Sequence, residues 1–270
     1  MILGYIDWNV SPEIFAIGPL SIRYYSLFFA ISFWLGFVIM ERIFKNDKAP
    51  EGWLDKLFMY VIVATILGAR LGHVFFYGWD YYSQHPGEIL KVWEGGLASH
   101  GGAIGILIAI YIYSKKVCKR SPIWVLDRLV IPVALAAFFI RMGNFMNSEI
   151  VGSPADVPWA VRFLRLNPAE GPEIPRHPSQ VYEAIVYLII FVGLMFAYWK
   201  KEAGKYQGLL FGIFLIGVFG FRFFVEMIKE NQEAFEQGMT LNMGQILSIP
   251  FVVAGIYFVV TSLKKKQPAK

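Results

Sequence analysis

Three arginines, Arg70, Arg141 and Arg222, lie in or beside stretches that are otherwise apolar, together with His73, His100, Asn144, His177, Gln180, Glu183 and Glu226. Arginine keeps its charge in a low-dielectric setting and presents paired N–H donors, so it suits an oxyanion such as phosphate. Arg222 and Glu226 are four apart, so they either share in a ligand site or neutralise each other on one helix face. His73 reads as a satisfied interfacial histidine. Cys118 is the only cysteine, which excludes an internal disulfide and a multi-cysteine metal site. It stands among Lys115, Lys116, Lys119 and Arg120, far from the polar group, and is not expected to be its nucleophile.

The elements that must position these residues follow from composition. Of 270 residues, 56% are apolar, 17% aromatic and only 17% charged, and the mean hydropathy is +0.50. A disordered chain, a fibrous repeat and a disulfide scaffold are excluded, and an ordinary soluble enzyme does not fit. A bilayer core takes about 20 apolar residues per helix. Seven such spans are expected, near 22–40, 57–78, 97–114, 123–142, 181–199, 207–227 and 244–263. The first has Asp7 and Glu13 and no Lys or Arg ahead of Arg23, the reverse of a secretory leader. No internal repeat of the transporter kind is visible.

Orientation follows from the loops. Basic residues crowd after span one (Arg42, Lys45, Lys48, Lys56), span three (Lys115–Arg120) and span five (Lys200, Lys201, Lys205), and in the tail (Lys264, Lys265, Lys266, Lys270). The segment after span two has only Lys91, and that after span six only Lys229. The expected fold is therefore an all-α integral membrane protein of seven transmembrane helices, with its N-terminus outside and C-terminus inside. That topology puts the polar residues of five spans in the outer half of the membrane, which suggests one cavity open to the outer leaflet. An arginine-lined cavity there suggests a phospholipid headgroup. The net charge of +5 lies in short loops and does not call for nucleic acid.

Residues 143–180 form the longest connection, read as a small external cap within a single membrane-embedded domain spanning 1–270, with strand-like pieces such as Trp159–Leu164. Arg162, Arg165 and Arg176 read as solvated cap residues or headgroup contacts. Residues Trp79–Glu94 read as an interfacial segment carrying Trp79, Tyr81, Tyr82 and Trp93. Asp127 and Arg128 read as a structural pair, and Gly101, Gly102 and Gly105 as residues that permit close helix packing.

Arg141-Met-Gly-Asn-Phe-Met-Asn-Ser-Glu-Ile-Val-Gly152 closely resembles the signature of the bacterial prolipoprotein diacylglyceryl transferase family, at Arg141, Gly143, Asn144, Phe145, Asn147, Glu149 and Gly152. Further family motifs follow in order. They are Gly-Ala-Arg70-Leu-Gly, Gly95-Gly-Leu-Ala-Ser-His100-Gly-Gly, Arg176-His-Pro-Ser-Gln180-Val-Tyr-Glu183 and Phe221-Arg222-Phe-Phe-Val-Glu226. Tyr25 matches an N-terminal tyrosine of the family. Ser26, Ala103 and Val218 depart from residues common among members; a role held by a tyrosine at the last position does not carry over.

The resemblance implies transfer of the sn-1,2-diacylglyceryl group of phosphatidylglycerol to the lipobox cysteine of a preprolipoprotein signal peptide, forming a thioether and releasing glycerol 1-phosphate. It implies His100, Arg141, Arg222, Glu149 and Glu226 as catalytic residues. His100 would be the general base; Arg141 and Arg222 would meet growing phosphate charge, oriented by Glu149 and Glu226. Tyr25, Arg70, Asn144, Gly152, His177, Gln180 and Glu183 would bind substrate. No cofactor or metal is implied. The expected partners are phosphatidylglycerol, signal peptides and the lipid bilayer, and the expected site is the outer face of the bacterial cytoplasmic (inner) membrane. A transporter or flippase for an anionic lipid is the competing class, and it requires a polar path to the inner leaflet. A scaffold membrane protein leaves the signature unexplained.

Overall fold

The computed structural model of the protein describes residues 5–18, 20–230 and 239–265. Lys266 and Lys270 of the basic tail lie outside the described residues. Seven helices are long and apolar enough to cross a membrane: α1 (Tyr24–Asn46), α2 (Trp53–Phe76), α4 (Ser99–Tyr113, continued by a π turn to Cys118), α5 (Pro122–Met146), α6 (Ser179–Lys201), α7 (Leu209–Val225, extended by a 3-10 turn to Ile228) and α8 (Met243–Lys265). These are the seven expected spans, with ends shifted by a few residues in either direction. The protein is a multi-pass membrane protein. Many of its large apolar side chains face outward, as hydrocarbon surroundings allow (Trp34, Phe76, Ile189, Val253).

Between α2 and α4 runs a series of short pieces: α3 (Trp79–Tyr82) and 3-10 turns at Pro86–Leu90 and Val92–Glu94. Four short strands accompany the helices. β1 (Ile6–Trp8) pairs in parallel with β4 (Val161–Phe163), and β2 (Glu13–Ile17) forms a hairpin with β3 (Leu20–Arg23) just ahead of α1. β4 falls inside the stretch expected to be strand-like. The N-terminal strands were not foreseen, because a three-residue strand is defined by its partner rather than by its own pattern.

By internal contacts the chain divides into two compact units, Met1–Ile39 with Asp127–Lys270, and Met40–Leu126. In the first unit α7 packs on α6 and α8. Val151, Val161, Phe163 and Leu166 make a small buried cluster there, covered by Trp8 and Phe145, which gives residues 143–180 an apolar anchor. In the second unit α2 lies against α4. A Cβ on Gly68 would fall 2.5 Å from the Gly101 carbonyl oxygen, and one on Gly105 would fall 2.6 Å from that of Ala64. Gly101 and Gly105 therefore permit the close crossing expected of them, whereas Gly102 has ordinary clearance of 3.6 Å.

Candidate active site

The charged residues of the first unit form one alternating chain. Arg141, on α5, reaches Glu183 on α6 at 3.0 Å. The other oxygen of Glu183 lies 3.0 Å from Lys229 Nζ. Lys229 Nζ also meets Glu226 at 3.1 Å, and Glu226 lies 3.4 Å from Arg222 Nε. The interior of the chain is dry: the Glu183 side chain is 0% exposed and that of Lys229 is 2% exposed. Its Arg222 end is open, at 39%. The terminal guanidinium nitrogens of Arg222 have no hydrogen-bond partner among the described residues. Tyr187, one turn after Glu183, donates its hydroxyl to that carboxylate at 3.0 Å. On the far side of Glu226, Asn242 donates to the backbone oxygen of Glu226 at 3.2 Å.

Arg141 is also tied to the signature loop that follows α5. It donates to Asn144 Oδ1 at 3.2 Å; Asn144 in turn donates to the Glu149 carboxylate at 2.7 Å, as does Asn147 at 3.1 Å. Glu149 thus reaches Arg141 through Asn144. The loop is strained: Ile150, a β-branched residue, has φ of +57°, a conformation that costs on the order of 1–3 kcal/mol. It is held by Gln180 Nε2 donating to the Glu149 backbone oxygen at 2.6 Å and Ser179 Oγ donating to that of Ile150 at 2.9 Å.

Gly152 explains the close meeting of three segments. Its N–H donates to the His177 carbonyl at 2.9 Å, and the next residue, Ser153, donates its N–H to the Ile228 carbonyl at 2.9 Å. A Cβ on Gly152 would stand 2.6 Å from the first of those oxygens and 2.9 Å from the second. Gly143 similarly leaves room for the Tyr25 ring, whose Cδ2 would lie 2.6 Å from a Cβ there. His177 Nδ1 lies 3.1 Å from the Tyr182 hydroxyl, which also accepts from Trp159 Nε1 at 2.7 Å.

These positions show what else the expected residues hold. Gln180, Glu183 and Gly152 were expected to touch substrate. Gln180 and Glu183 are wholly buried, with Gln180 donating to the signature loop and Glu183 engaged by Arg141 and Lys229. Gly152 is a backbone crossing. Arg176, expected as a solvated cap residue or a headgroup contact, is buried, donating to the Glu230 carboxylate at 2.6 Å and to the Glu170 carbonyl at 2.6 Å. Asp127 does not chiefly serve Arg128: it accepts the N–H groups of Gly208 at 2.6 Å and Phe211 at 2.9 Å, capping α7, while Arg128 donates to the Gly204 carbonyl at 3.0 Å. Arg162 does sit near solvent, in a two-pronged contact with Asp7 at 2.6 and 2.9 Å.

In the second unit Arg70 is buried, and backbone carbonyls occupy its guanidinium. Its nitrogens donate to Ile89 at 2.9 Å, Gly95 at 2.7 Å and Glu88 at 2.6 Å. It fastens the 86–96 segment to α2. In the same segment a hydrogen bond from Lys91 holds the Glu88 carboxyl below the usual carboxylate range. His73 stacks on Tyr77, with ring centres 6.0 Å apart. His100, the second residue of α4, is exposed and meets the rings of Phe76 and Tyr77 at 5.2 and 5.6 Å. Among the described residues no hydrogen-bond partner orients it. Cys118 is buried at the opposite end of the same helical run, about 27 Å along the axis.

Sequence reasoning missed Lys229, which was counted as a loop charge. The spacing held the signal: Arg222 and Glu226 stand four apart and Glu226 and Lys229 three apart, as neighbours on one helix face would, although the helix tightens to a 3-10 turn at Glu226–Ile228 and Lys229 is extended. What was not visible was Glu183 arriving from α6 to share it.

Known proteins resemble the chain over nearly its whole length. A family model described as prolipoprotein diacylglyceryl transferase matches residues 12–261. A protein of Chloroherpeton thalassium named phosphatidylglycerol–prolipoprotein diacylglyceryl transferase is 49% identical over 267 residues, covering 99% of this chain and 98% of that protein. Proteins of the same name from Tolumonas auensis and Porphyromonas gingivalis are 45% and 44% identical, covering 96% and 97% of this chain and 98% and 96% of theirs. With the signature loop, the buried ion pairs and the seven apolar helices in place, the chain belongs to the prolipoprotein diacylglyceryl transferase family.

Proposed function

We propose that the protein transfers the sn-1,2-diacylglyceryl group of phosphatidylglycerol to the lipobox cysteine of preprolipoproteins, the first step of bacterial lipoprotein maturation. The observation that carries the chemistry is the charged chain ending at Arg222. It holds three cations and two carboxylates, and it opens at a guanidinium fork. The thiolate of the peptide attacks the glyceryl carbon that bears the phosphodiester oxygen. The carbon–sulfur bond forms as the carbon–oxygen bond breaks, and the electron pair leaves on glycerol 1-phosphate. Phosphate charge grows from one minus toward two, so fixed cations stabilise the transition state more than the bound lipid. Arg222 is the exposed clamp, and Arg141 adds field from a position fixed by Asn144 and Glu183. Glu226 orients Arg222; Glu149 orients Arg141 through Asn144. Tyr25 and His177 flank the signature loop as substrate contacts. The resemblance supports His100 as the base that takes the thiol proton, since its pKa range suits that transfer.

The site faces the outer leaflet of the bacterial cytoplasmic membrane in this reading, where phosphatidylglycerol and the end of a signal helix both arrive. Basic-residue asymmetry supports it, and the burial of Lys229 strengthens it, because the segment after span six then offers no solvated basic residue. The competing lipid transporter would need a polar path to the other leaflet. Of its natural members, Asp127 is engaged in capping α7 and Arg128 donates to the Gly204 carbonyl. The test is purified protein with phosphatidylglycerol and a lipobox peptide, read by mass spectrometry. A diacylglyceryl adduct on the peptide cysteine, with glycerol 1-phosphate in equal amount, is expected. Transbilayer lipid movement without an adduct would favour the transporter.

A further inference from the structure

Lysine is almost never buried unless paired, yet the Lys229 side chain is 2% exposed and holds two carboxylates at once, Glu183 at 3.0 Å and Glu226 at 3.1 Å. Each of those carboxylates also faces an arginine. Were Lys229 absent, two carboxylates would stand against two arginines, and the low dielectric would draw each guanidinium fully onto its partner. With Lys229 in place the chain carries one cation more than it has anions. We infer that Lys229 is a positioning residue for the transfer reaction: it takes up carboxylate charge from Glu183 and Glu226, and so leaves positive field at Arg141 and Arg222 for the incoming phosphodiester. This deepens the proposed function and rests on it.

The ammonium suits the place. It is compact, with three donors, and fits between two oxygens that approach from different helices. Its backbone is anchored independently, by a bridge to Gly152 and by the turn from Glu226. Methionine at 229 would therefore keep the chain path and most of the side-chain volume while removing the charge.

The experiment compares wild type, Lys229→Met, Glu183→Gln and the double variant as full-length purified proteins in one detergent. Transfer from phosphatidylglycerol to a lipobox peptide is followed at several lipid concentrations, beside thermal stability. Lys229→Met should lower kcat by about 30-fold or more. Adding Glu183→Gln removes one anion with the cation and restores the surplus, so the double variant should recover at least about tenfold of that loss. A lysine that serves only as a strut predicts the opposite: the double variant, having lost two buried groups, would be no faster than Lys229→Met. That result, or a folded Lys229→Met with near-normal kcat, overturns the inference. If Lys229→Met does not fold, the double variant is judged against wild type; activity within about tenfold supports the inference, and a folded but inactive double variant refutes it. If wild type itself transfers nothing, the proposed function fails. The inference is then read by retention of phosphatidylglycerol over phosphatidylcholine, which Lys229→Met should lose and the double variant regain; equal retention by all forms would refute it.

Discussion

Glu183 faces Arg141 with one carboxylate oxygen and Lys229 with the other, each at 3.0 Å, and is wholly removed from solvent. A buried carboxylate between two cations joins α5, α6 and the end of α7 into one electrostatic unit. It also explains how arginines can stand in an apolar setting: each charge along the chain has an opposite neighbour, and only the exposed end at Arg222 is left for an anion.

Gly152→Ala should separate segments that now touch. The added Cβ would meet backbone oxygens of His177 and Ile228, neither of which is the tip of a flexible side chain. A destabilisation of about 1–3 kcal/mol is expected, with loss of transfer beyond what the melting shift accounts for, because Lys229 and the Glu149 loop move apart. Thermal denaturation and transfer rate measured on one preparation check it; a melting temperature equal to wild type would refute the crossing role.

Arg70→Lys separates anchoring from lipid recognition. Lysine cannot reach the carbonyls of Glu88, Ile89 and Gly95 together. Losing charge-assisted hydrogen bonds should cost about 1.5–3 kcal/mol and speed proteolysis within 86–96. The KM for phosphatidylglycerol should stay within about threefold of wild type, a smaller change than one lost phosphate contact would cause. A selective rise in KM with unchanged proteolysis would return Arg70 to the substrate site.

Cysteine labelling tests the orientation. Cys118 is buried, so the native background is quiet. A cysteine placed within 168–173 should react with an impermeant reagent from outside intact cells, and one at 264 or 265 only after the inner side is opened. The reverse pattern would invert the map and remove the outer-leaflet assignment.

The spans were legible because about 20 apolar residues in a row have few other uses. The signature loop was legible as a motif, and Gly101 and Gly105 as packing residues. The wiring was not. Arg70 and Arg222 are both arginines near helix ends in sequence, yet backbone carbonyls occupy one and a single carboxylate faces the other. That difference depends on where the 86–96 segment folds back, which no local pattern records. Arg176 looked solvated for a similar reason: its partners, Glu230 and the Glu170 carbonyl, come from other parts of the fold. Lys229 shows the middle case, in which spacing placed it on the right face and only its second carboxylate was hidden.

In the proposed reaction a preorganised guanidinium fork meets growing charge on the leaving phosphate. Arg222→Lys isolates the fork's contribution, because lysine keeps the charge and loses the fork. The measurement is single-turnover transfer from phosphatidylglycerol to a lipobox peptide, beside the melting temperature in the same detergent, with Arg141→Lys as the buried comparison. Arg222→Lys should melt near wild type but turn over about 30- to 1000-fold more slowly, the equivalent of roughly 2–4 kcal/mol of transition-state stabilisation. Arg141→Lys should lose both stability and rate, since it breaks contacts to Asn144 and Glu183. Near-normal turnover by a stable Arg222→Lys protein would remove the guanidinium fork from the reaction.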